Sequence, residues 1–158
     1  MKLSVKGMTF SGVIAAAYVV LTLPFAAVAF GPIQFRAAEA LTLLPFCTPY
    51  AIPGLFFGCF LSNLLFSTPI DAIVGSLATL VAAILTYKCK NVWVSAIPPV
   101  VVNALAIGLM LSLIGGSFTF GVFISYFVSI FLSQSVICFA GGVPLVKLVE
   151  KFKKEGRI

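Results

Sequence analysis

The 158-residue chain is 61% hydrophobic and only 9% charged, with a mean hydropathy of +1.21. A water-soluble globule carries roughly a quarter of its residues charged, so this composition excludes one and describes an integral membrane protein. The net charge of +6 comes without a basic patch interleaved with aromatics, which argues against nucleic acid and for anionic lipid headgroups.

A spanning helix takes roughly 20 residues, so the expectation is an all-α membrane protein of six transmembrane helices in one domain, residues 1–158. The first segment runs from about Met8 to Phe30 and ends at Gly31-Pro32, a flexible joint followed by a residue that cannot continue a helix. Its basic start and Ala27-Val28-Ala29 resemble a secretory signal, but the apolar run is too long for a signal h-region.

The next apolar stretch, Ala37 to Phe66, reads either as one long helix or as two. Pro45, Pro49 and Pro53 mark where the chain can turn. A short second helix is therefore expected from about Arg36 to Phe46 and a third from about Pro49 to Phe66. As an α-helix the second would cover only about half the bilayer. Ser67-Thr68-Pro69 closes the third, and a fourth runs from about Asp71 to Tyr87, with Asp71 explained by the dipole at its N-terminus. A fifth, about Val92 to Leu113, carries Pro98-Pro99 and should kink in its first half. Gly115-Gly116 turns the chain into a sixth, apolar from about Phe118 to Val146 and continuing as a charged tail to Lys154.

Charge decides between five spans and six. With six, Lys2, Lys6, Lys88, Lys90, Lys147, Lys151, Lys153, Lys154 and Arg157 all fall on one side, and only Arg36 does not. Juxtamembrane lysine and arginine are retained in the cytoplasm, so both termini are expected there.

Polar groups inside the bilayer cost several kcal/mol when unpaired and so need a partner, a cavity or a ligand. The candidates for substrate binding are Gln34, Arg36, Glu39, Asn63, Asn103, Tyr126 and Gln134. Arg36 and Glu39, three apart on the second helix, alternatively form a simple ion pair. Asn103 and Gln134 reach the middle third of the bilayer, where each serves equally as interhelical glue. Phe118, Phe120, Phe123, Tyr126 and Phe127 crowd the outer part of the sixth segment and either stack a flat ring or simply pack. Small residues on the first helix, Ser11 with Ala15 and Gly12 with Ala16, permit close helix approach, either to a partner protein or within the chain.

Several classes of chemistry lack their residues. Four cysteines, Cys47, Cys59, Cys89 and Cys138, form no C-x-x-C pair and there is no histidine, so no metal site or common general base is expected. The four cysteines read as small apolar packing residues. No G-x-x-x-x-G-K-[ST] is present for ATP hydrolysis, and no acidic or histidine series for a proton relay. Enzymatic activity is not expected, and energy for transport would come from other subunits.

The run Gly31-Pro32-Ile33-Gln34-Phe35-Arg36-Ala37-Ala38-Glu39-Ala40-Leu41-Thr42-Leu43-Leu44-Pro45-Phe46, with Pro49, Ile52-Pro53-Gly54-Leu55-Phe56 and Asn63-Leu64, resembles the QueT family. Asp71 and Gly75-Ser76-Leu77-Ala78-Thr79-Leu80 extend the likeness. These are substrate-binding S components of energy-coupling factor (ECF) transporters, associated with queuosine precursors. The resemblance implies a binder of a 7-deazaguanine base in the plasma membrane of a prokaryote. It would have no cofactor of its own and would work with a transmembrane coupling subunit and two ATPase subunits that use the ATP. Where S components often show Ala-x-x-x-Ala on the first helix, this chain offers Ser11/Ala15 and Gly12/Ala16. An S component for another vitamin or nucleobase, and a small stand-alone secondary transporter, are the other readings.

Overall fold

The computed structural model describes residues 5–26, 35–116 and 118–155. Gln34, the Gly31-Pro32 joint, Lys2, Ser117 and Arg157 lie outside the described residues. The described elements are all helical: α1 Val5–Thr22, continued by a 3-10 turn Leu23–Phe25; a 3-10 helix Ala37–Phe46; α2 Ala51–Phe66; α3 Pro69–Lys88; α4 Ile97–Ile114, entered by a 3-10 turn Val94–Ala96; α5 Phe120–Val136; a π-helical segment Ile137–Gly142; and α6 Val143–Lys154. Four stretches are long and apolar enough to cross a membrane, Val5–Phe25, Pro69–Lys88, Val94–Ile114 and Phe120–Lys154, and the shorter apolar helices Ala37–Phe46 and Ala51–Phe66 lie between the first two.

The long helices pack in chain order, α1 on α2, α2 on α3, α3 on α4 and α4 on α5, while the 3-10 helix runs inside, touching α1, α3 and the π segment. It is buried on nearly every side through Ala38, Glu39, Leu41, Thr42, Leu43, Leu44 and Pro45. Its geometry corrects the expectation of a short α-helix: a 3-10 helix rises about 2.0 Å per residue against about 1.5 Å. Its ten residues thereby reach about 20 Å, two-thirds of the hydrocarbon core rather than half. The eclipsed i, i+3 spacing also places Glu39 and Thr42 on one face.

Proline positions account for the other irregularities. Pro98 and Pro99 do not kink a helix interior; they sit in the first turn of α4, where a missing N–H costs no hydrogen bond. Pro69 likewise opens α3, and the Thr68 side chain caps that helix by accepting from the Asp71 N–H at 3.2 Å. The expected continuous sixth helix is interrupted by the π segment, which immediately precedes Val143-Pro144. A proline ring clashes with the carbonyl four residues back, and the wider π turn relieves that clash. The same widening brings Gly142 against Leu43 and the Ala40 carbonyl, where an added Cβ would lie 3.0–3.1 Å away.

The described lysines collect at one end. Lys147 Nζ lies 4.7 Å from the Trp93 ring centroid, just beyond the end of α3, and Lys6 and Lys153 line one groove. Arg36 is bonded instead to Asp71, at the opposite end of α3 from Lys88. Twenty α-helical residues separate these ends by about 30 Å.

Candidate functional site

Between the 3-10 helix, α3, α4 and α5 lies a small cavity lined by Arg36, Glu39, Gly75, Thr79, Asn103, Ile107, Ile130 and Gln134. Its volume of about 10 Å³ is room for one water. Four of the expected residues, Arg36, Glu39, Asn103 and Gln134, therefore do converge, from three separate elements, although Arg36 and Gln134 stand nearly 100 positions apart in sequence.

Glu39 is the centre of this arrangement and is 1% exposed. Tyr18 of α1, itself fully buried, donates its hydroxyl to Glu39 Oε1 at 2.6 Å. Asn103 of α4 donates Nδ2 to Oε2 at 3.2 Å. Each carboxylate oxygen thus has a donor, which meets the large cost of burying an ionisable group. The backbone is held too: Thr42 Oγ1 donates to the Glu39 carbonyl at 2.6 Å. Cys138, on the π segment, approaches the same carbonyl at 4.0 Å and Gln134 Oε1 at 3.8 Å.

The ion pair expected within the second helix is not the one formed. Arg36 pairs with Asp71, Nη2 to Oδ2 at 2.9 Å, with both side chains buried. Ser67 Oγ donates to the same Oδ2 at 2.7 Å. Asp71 is therefore more than an N-terminal dipole partner: it ties the entrance of the 3-10 helix to the α2–α3 corner. Arg36 immediately precedes the 3-10 helix in an extended backbone conformation, and from there its side chain reaches α3.

Asn63 does not line the cavity. Its Nδ2 donates to the Asp71 carbonyl at 3.0 Å, fixing the first turn of α3, and also approaches Cys59 Sγ at 3.5 Å. Gly75 fits directly beneath it, and an added Cβ would lie 2.6 Å from Asn63 Nδ2 and 3.2 Å from Asp71 Oδ1. Three acceptors in this region, Asn63 Oδ1, Asp71 Oδ1 and Asn103 Oδ1, have no hydrogen-bond partner among the described residues.

Tyr126 is half-buried and lies two helical turns from Gln134, outside the cavity lining. The aromatic residues instead form a ladder along α5, Phe120, Phe123, Phe127 and Phe131, with successive ring centroids 6.4, 6.1 and 5.8 Å apart. Phe127 packs onto the core of Ala104, Ile107, Met110 and Ile130, and its backbone would lie 3.3 Å from a Cβ at Gly108. Phe118 and Phe120 are exposed.

The two small-residue pairs of α1 separate. Ser11 and Ala15 face inward: Ser11 Oγ donates to the Tyr50 carbonyl at 2.7 Å, and Gly54 and Gly58 of α2 press against the Ser11 carbonyl and Ala15 Cα. Gly12 and Ala16 are exposed, and nothing approaches within 4 Å of a Cβ at Gly12.

Tyr18, Asp71, Gly75 and Thr79 are part of the site and were not singled out from sequence as site residues. For Tyr18 a signal existed, since a hydroxyl in the middle of an apolar span needs a partner. For Asp71 it did not, because capping alone accounted for an acid at that position.

A family model described as QueT transporter matches residues 8–151. The chain belongs to the QueT transporter family. The Queuosine precursor transporter QueT of Lactococcus lactis subsp. cremoris (strain MG1363) is 44% identical over 71 residues. That match covers 44% of this chain and 42% of the relative's length. No solved structure gives a significant match. As a QueT family member with several apolar helices, the chain is a multi-pass membrane protein.

Proposed function

We propose that this QueT family chain is the substrate-binding component of an ECF-type importer, taking up a queuosine precursor of the 7-deazaguanine class. Six passes cross the membrane with both termini cytoplasmic, and a coupling subunit and two ATPases supply the energy. The observation that carries the reading is the acceptor-rich centre: the Glu39 carboxylate beside Asn103, whose Oδ1 has no partner among the described residues. A deazaguanine presents a ring N–H next to an exocyclic amine, and one carboxylate accepts from both as a bidentate pair. Arg36 and Gln134, on the cavity wall, have donors for the ring carbonyl. The cavity holds only about 10 Å³, so the base would enter as the helices part and its N–H groups take the places of Tyr18 and Asn103 on Glu39.

The separation of lysines from Arg36 across about 30 Å supports the topology. The exposed pair Gly12/Ala16 supports docking of the coupling subunit on α1. The test is calorimetry with 7-deazaguanine on the detergent-purified protein. Glu39→Gln retains the shape but turns one acceptor into a donor, and affinity should fall at least about tenfold, the loss of one charged hydrogen bond. Unchanged affinity in a folded Glu39→Gln protein removes Glu39 from the site.

A further inference from the structure

At the lysine-rich end, a groove of about 270 Å³ opens between the start of α1, the turn from the 3-10 helix into α2, and α6. Gly7, Phe10, Cys47, Thr48, Tyr50 and Val149 line it together with Lys6 and Lys153. Its floor is firmly built. The Tyr50 ring lies directly on Gly7, where any Cβ would collide with it, and the Tyr50 carbonyl is held by Ser11. The groove is far larger than the cavity beside Glu39 and shares no lining residue with it.

We infer that this groove is a binding site for one anionic phospholipid, its acyl chain lying along Phe10, Tyr50 and Val149 and its phosphate between Lys6 and Lys153. The chemistry is that of an amphiphile. The walls are almost wholly apolar, which suits a hydrocarbon chain, and the two lysines among the lining residues supply cations for a headgroup. Basic pockets between helices at the end of a membrane domain take acidic headgroups in this way. Glu150, which interacts electrostatically with Cys47, does not line the groove. The remaining α6 lysines, Lys147, Lys151 and Lys154, are exposed on the same helix and add to the attraction for a negative surface. A free anion would have little use for the apolar walls, and a second copy of this chain would bring its own lysines against these.

Native mass spectrometry of the full chain, offered phosphatidylglycerol and phosphatidylcholine in equal amounts, tests the inference. One phosphatidylglycerol should be retained in preference to phosphatidylcholine. Lys6→Gln with Lys153→Gln should cut that retention about thirty-fold, while Lys88→Gln with Lys90→Gln, which removes the same charge from the same end, should leave it unchanged. Val149→Trp, which fills the groove and leaves both cations in place, should also abolish it. Equal loss in the two double variants would show diffuse electrostatics and overturn the site, as would retention in Val149→Trp. Displacement by soluble glycerophosphate would assign the cations to a free anion and overturn the lipid. Dimers that disappear in Val149→Trp would give the groove to a second copy and overturn it as well.

Discussion

Tyr18 ties the first helix to the site by a single hydrogen bond. Its hydroxyl is the donor to Glu39 Oε1, and Tyr18→Phe keeps the ring while leaving a buried carboxylate oxygen without that partner. An unsatisfied buried acceptor costs about 1–3 kcal/mol, which in a chain of this size lowers Tm by roughly 3–9 °C. A melting curve in detergent that matches the wild type would show that the bond contributes nothing. Gly75 is governed by space rather than by hydrogen bonding. A Cβ there meets Asn63 Nδ2 at 2.6 Å and Asp71 Oδ1 at 3.2 Å, and both groups belong to the corner that anchors Arg36. Gly75→Ala should therefore cost about 1–3 kcal/mol by overpacking and also weaken 7-deazaguanine binding. Gly121→Ala, at an exposed glycine of α5 with open space around it, should lose neither stability nor affinity. Equal melting temperatures for the two alanine variants would show that the corner tolerates the methyl group.

At the level of whole elements, α1 presents one face packed on α2 and one exposed face, the latter the proposed docking surface. Gly54 and Gly58, one turn apart on α2, let the two backbones meet, and a Cβ at Gly54 would lie 2.5 Å from the Ser11 carbonyl. Gly54→Val should separate the helices and, with them, Tyr18 from Glu39, giving poor folding and lost ligand binding. Gly12→Leu, on the opposite face, should leave melting and ligand binding unchanged yet block co-purification with the coupling subunit. Normal co-purification would place the docking face elsewhere. Some helix ends were legible in the sequence to within about two residues: α3 was expected over Asp71 to Tyr87 and runs Pro69–Lys88. Others were not: α4 was expected from about Val92 and begins at Ile97 after a 3-10 turn, and α1 was expected to about Phe30 and is α-helical to Thr22. The character of the 3-10 helix was not legible, because the i, i+3 spacing of Glu39 and Thr42 suits one face of an α-helix as well. The π segment was not legible either, although Pro144, which immediately follows it, supplies a physical cause. In the site, Glu39, Asn103 and Gln134 stood out as lone polar groups in apolar spans and do come together at one cavity. Arg36 stood out also, but its partner lies 35 residues away, and no local pattern carries a contact of that range.

The charge layout of the whole molecule leads to the prediction that bears most directly on transport. Lys88 closes α3, Lys153 lies on α6 beside Lys6, and Thr119 precedes α5 after the turn that follows α4. If α3 spans the bilayer, Arg36 and Asp71 lie at one interface and Lys88 at the other, about 30 Å away. On the proposed topology, with juxtamembrane lysines retained in the cytoplasm, the Arg36–Asp71 corner, the nearer to the cavity, would face outside where a ligand arrives. Cysteine labelling reads this directly. Cys47 and Cys89 are first changed to serine, whereas Cys59 and Cys138 are fully buried and inaccessible to reagent. In that background, Lys88→Cys and Lys153→Cys should react with a membrane-impermeant maleimide only after the cells are opened, and Thr119→Cys should react in intact cells. A Lys88→Cys protein labelled from outside would invert α3, put the Arg36–Asp71 corner in the cytoplasm, and make the site an exit rather than an entrance.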